Sequence, residues 1–366
     1  MEGFDVTLLS SPGEILTGFA AEEGISAIPL PMRRGIAPWA DLISFVALVR
    51  ILARLRPAIT DFSTPKAGFL GNLAAWGMGV PHRVYTLRGL KLEGAWGVKR
   101  GILLWSERVA ARCSQVVLCN SASLRAKAWG LGIAPKAKLR MMGDGSSNGV
   151  DPERFCPGVS GIRRELGIGE GDLVLGYVGR LTKDKGIPEL VEAFDEILRV
   201  EPRSWLLLVG WFDRAEDALH PRWRERISSH RRIRHTGFVT ETVPYYRAMD
   251  LFVLPTHREG FPNVALEAAA CGLAVITTQS TGARDAVLPE VTGLLIPPGT
   301  PEAITEAVLG LLCDPGTRRR FGEAGREWVR EVYSKERVLR MAVEFYRGLL
   351  EEGRRPGLDS RNHDAS

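Results

Sequence analysis

Apolar runs of strand length recur along the chain, and longer stretches of mixed polarity separate them. In the first half these runs are Phe4–Ser10, Ile25–Leu30, Ile59–Phe62, Val84–Leu87 and Val116–Asn120. In the second half they are Leu173–Gly179, Trp205–Gly210, Ile233–Val239, Leu251–Pro255 and Leu273–Thr278. Short apolar runs bounded by turn residues read as buried strands. Between them, Leu42–Leu55, Asn72–Trp76, Trp96–Arg112, Pro188–Val200 and Val264–Ala270 read as helices. Glu302–Leu312, Arg319–Val332 and Leu339–Leu350 read as closing helices. Strands alternating with helices at this rhythm predict the α/β class, with parallel sheets covered on both faces. Leu42–Leu55 is apolar on most sides but too short to span a bilayer. It reads as a core helix, with a membrane-facing helix as the alternative.

The rhythm breaks at 143–158, where Gly-Asp-Gly-Ser-Ser-Asn-Gly is followed by Val150-Asp151-Pro152-Glu153-Arg154-Phe155. Such a Gly- and Ser-rich stretch predicts a linker between domains. The expected division is a first domain over 1–147, a linker over 148–160, a second domain over 161–333, a closing helix over 334–352, and a polar, disordered tail over 353–366. At 366 residues the chain is long enough for two such domains.

Composition narrows the class little. Apolar residues make up 45% and charged residues 25%, the balance of a soluble globular protein. The 5 cysteines are odd in number and lack C-x-x-C spacing, so neither a disulfide framework nor a zinc site is indicated. A reducing cytosol is the simple reading, and no basic-then-apolar leader opens the chain. Charge is uneven: residues 1–150 carry 18 Lys and Arg against 10 Asp and Glu, and the remainder carries 30 against 33. The basic first half favours an anionic partner, such as a membrane surface or a diphosphate-linked acceptor. Nucleic acid is not expected, because no helix-turn-helix, zinc or aromatic-basic pattern accompanies the charge.

The most informative stretch is Glu259-Gly260-Phe261-Pro262-Asn263-Val264-Ala265-Leu266-Glu267. It lies between two apolar runs and reads as strand, loop, helix, strand, with Pro262 in the first helical turn. Such a loop aims a helix N-terminus out of the carboxyl edge of a parallel sheet, where free N–H groups attract anions. Glu259 stands on the loop and Glu267 about one turn into the helix. Earlier in the same half, Gly179-Arg180 follows a strand, and Lys185-Gly186 precedes the next helix. This is neither a Walker loop nor a dinucleotide glycine fingerprint. Two cations flanking a short loop at a strand end can still clamp a diphosphate. Solvated surface charge with no ligand is the bland alternative for each pair taken alone.

These residues resemble the signature of the retaining glycosyltransferases with the GT-B fold, family 4 in the usual classification. The match consists of Glu259, Gly260, Phe261, Pro262 and Glu267, together with Arg180, Lys185 and the Asn148-Gly149-Val150-Asp151 linker wording. It covers most of residues 59–350 and is strongest from Leu173 to Thr278. The resemblance implies two Rossmann-like, doubly wound domains facing a cleft, with the last helix packed back on the first domain. It implies transfer of a hexose or N-acetylhexosamine from a nucleotide-diphosphate sugar, a UDP-sugar by expectation, with retention of anomeric configuration. The implied acceptor is a hydroxyl of a lipid-diphosphate-linked sugar or a polysaccharide, met in the cytoplasm or at the inner face of the membrane. Arg180 and Lys185 would neutralise the leaving diphosphate, helped by N–H groups of the Gly260–Val264 turn. Glu259 would hold sugar hydroxyls and Glu267 the ribose. Gly179, Phe238, Val239, Phe261, Pro262, Asn263 and Val264 complete the expected donor contacts. Lys66, Arg88 and Gly89 are candidate contacts to the acceptor or the sugar. With no Asp-x-Asp motif at a strand end, neither a metal ion nor a cofactor is expected beyond the donor itself. Two departures stand out. The strand, glycine-rich loop and helix that usually precede the equivalent of Gly3–Val6 are not seen. Arg88-Gly89 also stands where many relatives have His-Gly. A nucleotide-sugar 2-epimerase of the same architecture, or a donor-binding remnant, are the alternatives.

Overall fold

In the computed structural model the chain forms two compact units. One comprises Met1–Cys119, Ala128–Arg140 and Arg340–Ser366, and the other Asn120–Lys127 and Met141–Leu339. The structure describes residues 3–352 apart from 34, 36, 147 and 214–216. The tail expected over 353–366 lies outside the described residues. The segment 148–160, expected as a linker, lies within the second unit.

The first unit opens with β1 (Thr7–Ser10), α1 (Glu14–Glu23), β2 (Ser26–Pro29), α2 (Pro38–Leu55), β3 (Ile59–Ser63) and α3 (Pro65–Gly77). It continues with β4 (His82–Leu87), α4 (Gly97–Cys113), β5 (Val116–Cys119), α5 (Ala122–Gly130) and β6 (Leu139–Arg140). Among the described residues its strands make two parallel sheets, the pair β1-β2 and the four-stranded order β3-β4-β5-β6. Several elements start away from the apolar runs. β1 begins at Thr7 rather than Phe4, and α3 begins at Pro65 rather than Asn72. The fixed φ of proline and its missing N–H suit the first turn of a helix, so Pro65 starts α3 and Pro38 starts α2. Only Ser44, Leu48 and Leu52 of α2 are buried, so the helix is covered along one face and not all round.

The second unit follows with α6 (Ile162–Glu165), β7 (Leu173–Val178), α7 (Ile187–Val200), β8 (Ser204–Val209), α8 (Pro221–Ser229), β9 (Ile233–His235), α9 (Val243–Tyr246) and β10 (Leu251–Leu254). Then come α10 (Asn263–Ala270), β11 (Ala274–Thr278), β12 (Gly293–Ile296), α11 (Pro301–Cys313), α12 (Pro315–Val332) and α13 (Lys335–Glu352). Its parallel sheet has the order β12-β11-β10-β7-β8-β9. The chain starts at β7, runs outward to β9, then crosses back to β10 on the other side of β7. The crevice at such a reversal, outside the carboxyl ends of the strands, is where doubly wound sheets bind ligands. The central strands read Leu-Val-Leu-Gly-Tyr-Val and Leu-Phe-Val-Leu without alternation, because helices bury both faces. On α7, Ile187, Leu190, Val191, Phe194 and Ile197 recur at helical spacing and are buried in the core. At the other end of the chain, α13 supplies Tyr346, whose hydroxyl donates to Asp61 of β3 at 2.5 Å. The last part of α13 thus belongs to the first unit.

Candidate active site

The site grows from the turns at the carboxyl ends of β7 and β10. After β7, Gly179 has φ 146° and turns the chain, so that the Tyr177 hydroxyl donates to the Arg180 carbonyl at 2.9 Å. The Arg180 guanidinium then donates to Asp213 Oδ2 at 2.6 Å. Burial works against its charge, but the hydrogen bond to Asp213 and the carboxylates of Asp184 and Asp213 outweigh this and hold its pKa up. Its side chain remains 40% exposed, so it can meet a ligand from this anchor.

Lys185 ends the same loop. Gly186 follows at φ 73°, where a Cβ would lie 2.0 Å from the Pro255 carbonyl oxygen. Only glycine lets the loop after β7 approach the end of β10 so closely. That approach joins Lys185 Nζ to Glu259 Oε1 in an ion pair, with both side chains mostly buried. Arg258 braces the same loop by donating to Asp184 and Asp217, each at 3.1 Å. The Glu259 amide donates to the Thr281 carbonyl at 2.9 Å. Gly282 packs there so tightly that a Cβ would stand 2.4 Å from the Glu259 carbonyl oxygen.

Helix α10 starts at Asn263, with Pro262 as the residue before it and not in its first turn. Phe261 packs on Tyr333, their ring centroids 5.3 Å apart, and Asn263 Oδ1 accepts from the Ser146 hydroxyl at 3.1 Å. Glu267 lies one turn into the helix, and its Oε2 accepts from the Tyr246 hydroxyl at 2.8 Å. Burial pushes the Glu267 pKa up, while the bond from Tyr246 works the other way. Val264 and Val239 pack against the core, and Phe238 is 66% exposed, edge-on to Trp211 at 5.4 Å between centroids. One sheet edge therefore carries two cations, two carboxylates, a helix start and an exposed aromatic pair. This set suits a ligand with a diphosphate, sugar hydroxyls and a flat base.

Asp213, Arg258 and Tyr246 are not among the residues expected from the sequence. Arg258 had a local signal in its place beside Glu259. Asp213 and Tyr246 reach Arg180 and Glu267 only through the fold.

In the first unit, Lys66 is committed to an internal pair with Asp41 at 2.6 Å and donates to the Gly35 carbonyl. Arg88 is exposed where β4 ends, and Gly89 follows it with φ 123°. Near Arg88, Asp61 accepts from Thr86 at 2.7 and 2.8 Å as well as from Tyr346. Burial raises the Asp61 pKa, and the Tyr346 and Thr86 bonds and the Arg88 charge oppose the rise.

Two Rossmann-like domains, the second with a charged crevice at its switch point, define the GT-B fold. The chain belongs to the glycosyl transferases group 1 family, whose model matches residues 160–328; a glycosyl transferase 4-like domain model matches residues 2–145. It is 33% identical over 352 residues to the capsular polysaccharide biosynthesis glycosyltransferase CapM of Staphylococcus aureus, covering 96% of this chain and 92% of that one. It is 28% identical to the UDP-Gal:alpha-D-GlcNAc-diphosphoundecaprenol alpha-1,3-galactosyltransferase of Escherichia coli, covering 81% of this chain and 76% of that one. In fold it resembles the sucrose-phosphate synthase of Thermosynechococcus elongatus, with a TM-score of 0.80 at 23% identity, covering 96% of this chain and 90% of the other.

Proposed function

We propose that this glycosyltransferase moves a hexose or N-acetylhexosamine from a UDP-sugar to a hydroxyl of a lipid-diphosphate-linked or polysaccharide acceptor, with retention of anomeric configuration. The observation that carries the reading is the Lys185–Glu259 pair, which joins the turns after β7 and β10 at the switch point. The names of the relatives support the substrate classes. One is a capsular polysaccharide glycosyltransferase, and the other takes galactose from UDP to a diphosphoundecaprenol-linked sugar.

Breaking the glycosidic bond gathers negative charge on the departing diphosphate. Fixed cations already aimed at that charge lower the barrier without reorganisation. Arg180 and Lys185 take this role. Without donor, Lys185 and Glu259 neutralise each other. When donor binds, Lys185 turns to the diphosphate, and Glu259 is released to accept from sugar hydroxyls. Glu267, steadied by Tyr246, accepts from the ribose, and Phe238 and Val239 lie beside the base. The acceptor hydroxyl attacks from the face that the leaving group vacates and passes its proton to the departing diphosphate oxygen, which retains configuration. Because protein cations supply the positive charge, turnover needs no divalent metal. In this reading the second unit holds the donor, and Arg88 and Gly89 of the first unit are candidate contacts to the acceptor.

The test is to incubate the protein with a panel of UDP-sugars and a GlcNAc-diphosphate lipid of short chain, with and without a chelator. The expected product keeps the donor's anomeric configuration by NMR and forms equally with chelator. Inverted product, or conversion of the sugar with donor alone, would overturn the reading.

A further inference from the structure

The five tryptophans of the first unit all face solvent. Trp39, Trp76, Trp96, Trp105 and Trp129 are each more than half exposed, whereas in the second unit Trp205 and Trp223 are buried and Trp211 is 40% exposed. Tryptophan is highly buried on average, so a group of exposed ones points to a partner surface.

Most of them sit on one layer of helices, in which α3 packs against both α2 and α4. On α2, the exposed Trp39, Leu42, Ile43 and Val46 stand at i, i+3, i+4 and i+7, one stripe of the helix, and the exposed Arg50 continues it. On α4, Val98, Ile102 and Trp105 repeat that spacing and are exposed. Trp105 also meets Phe69 of α3, ring centroids 5.5 Å apart, which joins the faces of the two helices. Lys66 is the one charged residue of α3, which ends at the exposed Trp76.

The segment that carries this face is strongly basic. Residues 33–112 contain 13 Lys and Arg against 4 Asp and Glu. Asp41 pairs with Lys66, Asp61 accepts from Thr86 and Tyr346, and Glu107 is buried against Tyr85. Among the described residues no helix is long and apolar enough to cross a membrane.

We propose that the outer face of α2, α3 and α4 docks on an anionic lipid bilayer. Exposed tryptophan and branched aliphatic side chains enter the interface between headgroups and acyl chains, and the flanking arginines and lysines meet lipid phosphates. A second copy of the chain would bring the same cationic excess against itself, which disfavours self-association through this face. Nucleic acid would satisfy the cations but not the exposed isoleucines and valines. The inference deepens the lipid-linked acceptor reading and rests on it for its purpose, since docking would bring the first unit to the surface where such an acceptor lies.

The experiment floats the full chain with vesicles of phosphatidylcholine and phosphatidylglycerol, and with phosphatidylcholine alone, at low and high salt. The parent is expected to float with the anionic vesicles and to be released by salt. The double variants Trp39→Ala/Ile43→Ala and Arg50→Glu/Arg54→Glu are each expected to lose about fivefold or more of the bound fraction. Their thermal unfolding, and the shift that UDP produces in it, should match the parent's. Failure of the parent to float at low salt, or flotation of both variants equal to the parent's, would overturn the proposal. So would a parent dimer in ultracentrifugation that Trp39→Ala/Ile43→Ala dissolves, or salt-resistant retention of an oligonucleotide that the same variant abolishes. Flotation without a UDP-induced shift would sink the donor reading and leave the surface standing. A UDP-induced shift without flotation would do the reverse.

Discussion

Lys185 and Glu259 pair where the loops after β7 and β10 meet, and in the proposed cycle the donor separates them. In the proposed cycle Tyr246 does not touch the reacting atoms. It positions Glu267 through one hydrogen bond to a carboxylate. Tyr246→Phe keeps the ring in its buried place and removes that bond. Donor KM should rise about tenfold with kcat little changed, since a hydrogen bond to a charged group is worth about 1.5 kcal/mol or more. Steady-state kinetics with varied donor checks this, and an unchanged KM would remove Tyr246 from the site. A second residue-scale prediction concerns pH. Burial pushes the Glu107 pKa up to about 7 from an ordinary value of 4.5, against the hydrogen bond from Tyr85. The folded chain therefore binds more protons than the unfolded chain between those values. The stability this group contributes is full below 4.5 and is lost as pH rises through about 7, by up to about 3 kcal/mol. Asp61 and Glu267 shift in the same direction. Urea titrations from pH 5 to 8 should show the parent losing stability with rising pH and Glu107→Gln losing less. Parallel curves would contradict the assignment. At this scale the sequence offers Arg180, Lys185, Glu259 and Glu267 as candidates, the first two from the loop after a strand and the other two from one stretch of loop and helix. It does not show Asp213 or Tyr246, whose partners lie far along the chain and meet them only once the sheet is built.

Among the elements, the strands of the second unit are legible because both faces of its sheet are covered and the apolar runs are continuous. Helix starts are less so: apolar spacing marks where a helix is buried, but proline marks where it begins, as at Pro38, Pro65 and Pro301. The apolarity of α2 predicts burial on most sides, yet its outer stripe is exposed. Periodicity alone cannot separate a core helix from one whose second face serves a partner. The loop after β7 carries the element-scale prediction. Gly186→Ala adds a Cβ at positive φ against the Pro255 carbonyl and should cost about 1–3 kcal/mol of stability. It should also weaken UDP binding by moving Lys185 from the end of β10. Calorimetry of unfolding and of UDP binding reads both effects, and a variant as stable as the parent would show that the loop tolerates the extra atom.

For the whole molecule, the alternation of strands and helices predicts parallel sheets covered on both faces, and the break at 143–158 predicts two domains. The order of strands within each sheet is not disclosed, because sheet order depends on which crossovers return across the first strand. The split of the first unit into a pair and a four-stranded sheet is of that kind. A ligand that binds only the folded second unit should stabilise the chain by mass action. UDP at a hundred times its Kd is expected to add about 2.7 kcal/mol to unfolding, seen as a raised Tm. The most direct measurement of the central claim is the single-turnover rate of sugar transfer from a bound UDP-sugar, compared between the parent and Lys185→Ala. Neutralisation of the leaving diphosphate by this side chain predicts a rate lower by about a hundredfold at saturating donor. A rate equal to the parent's would contradict it.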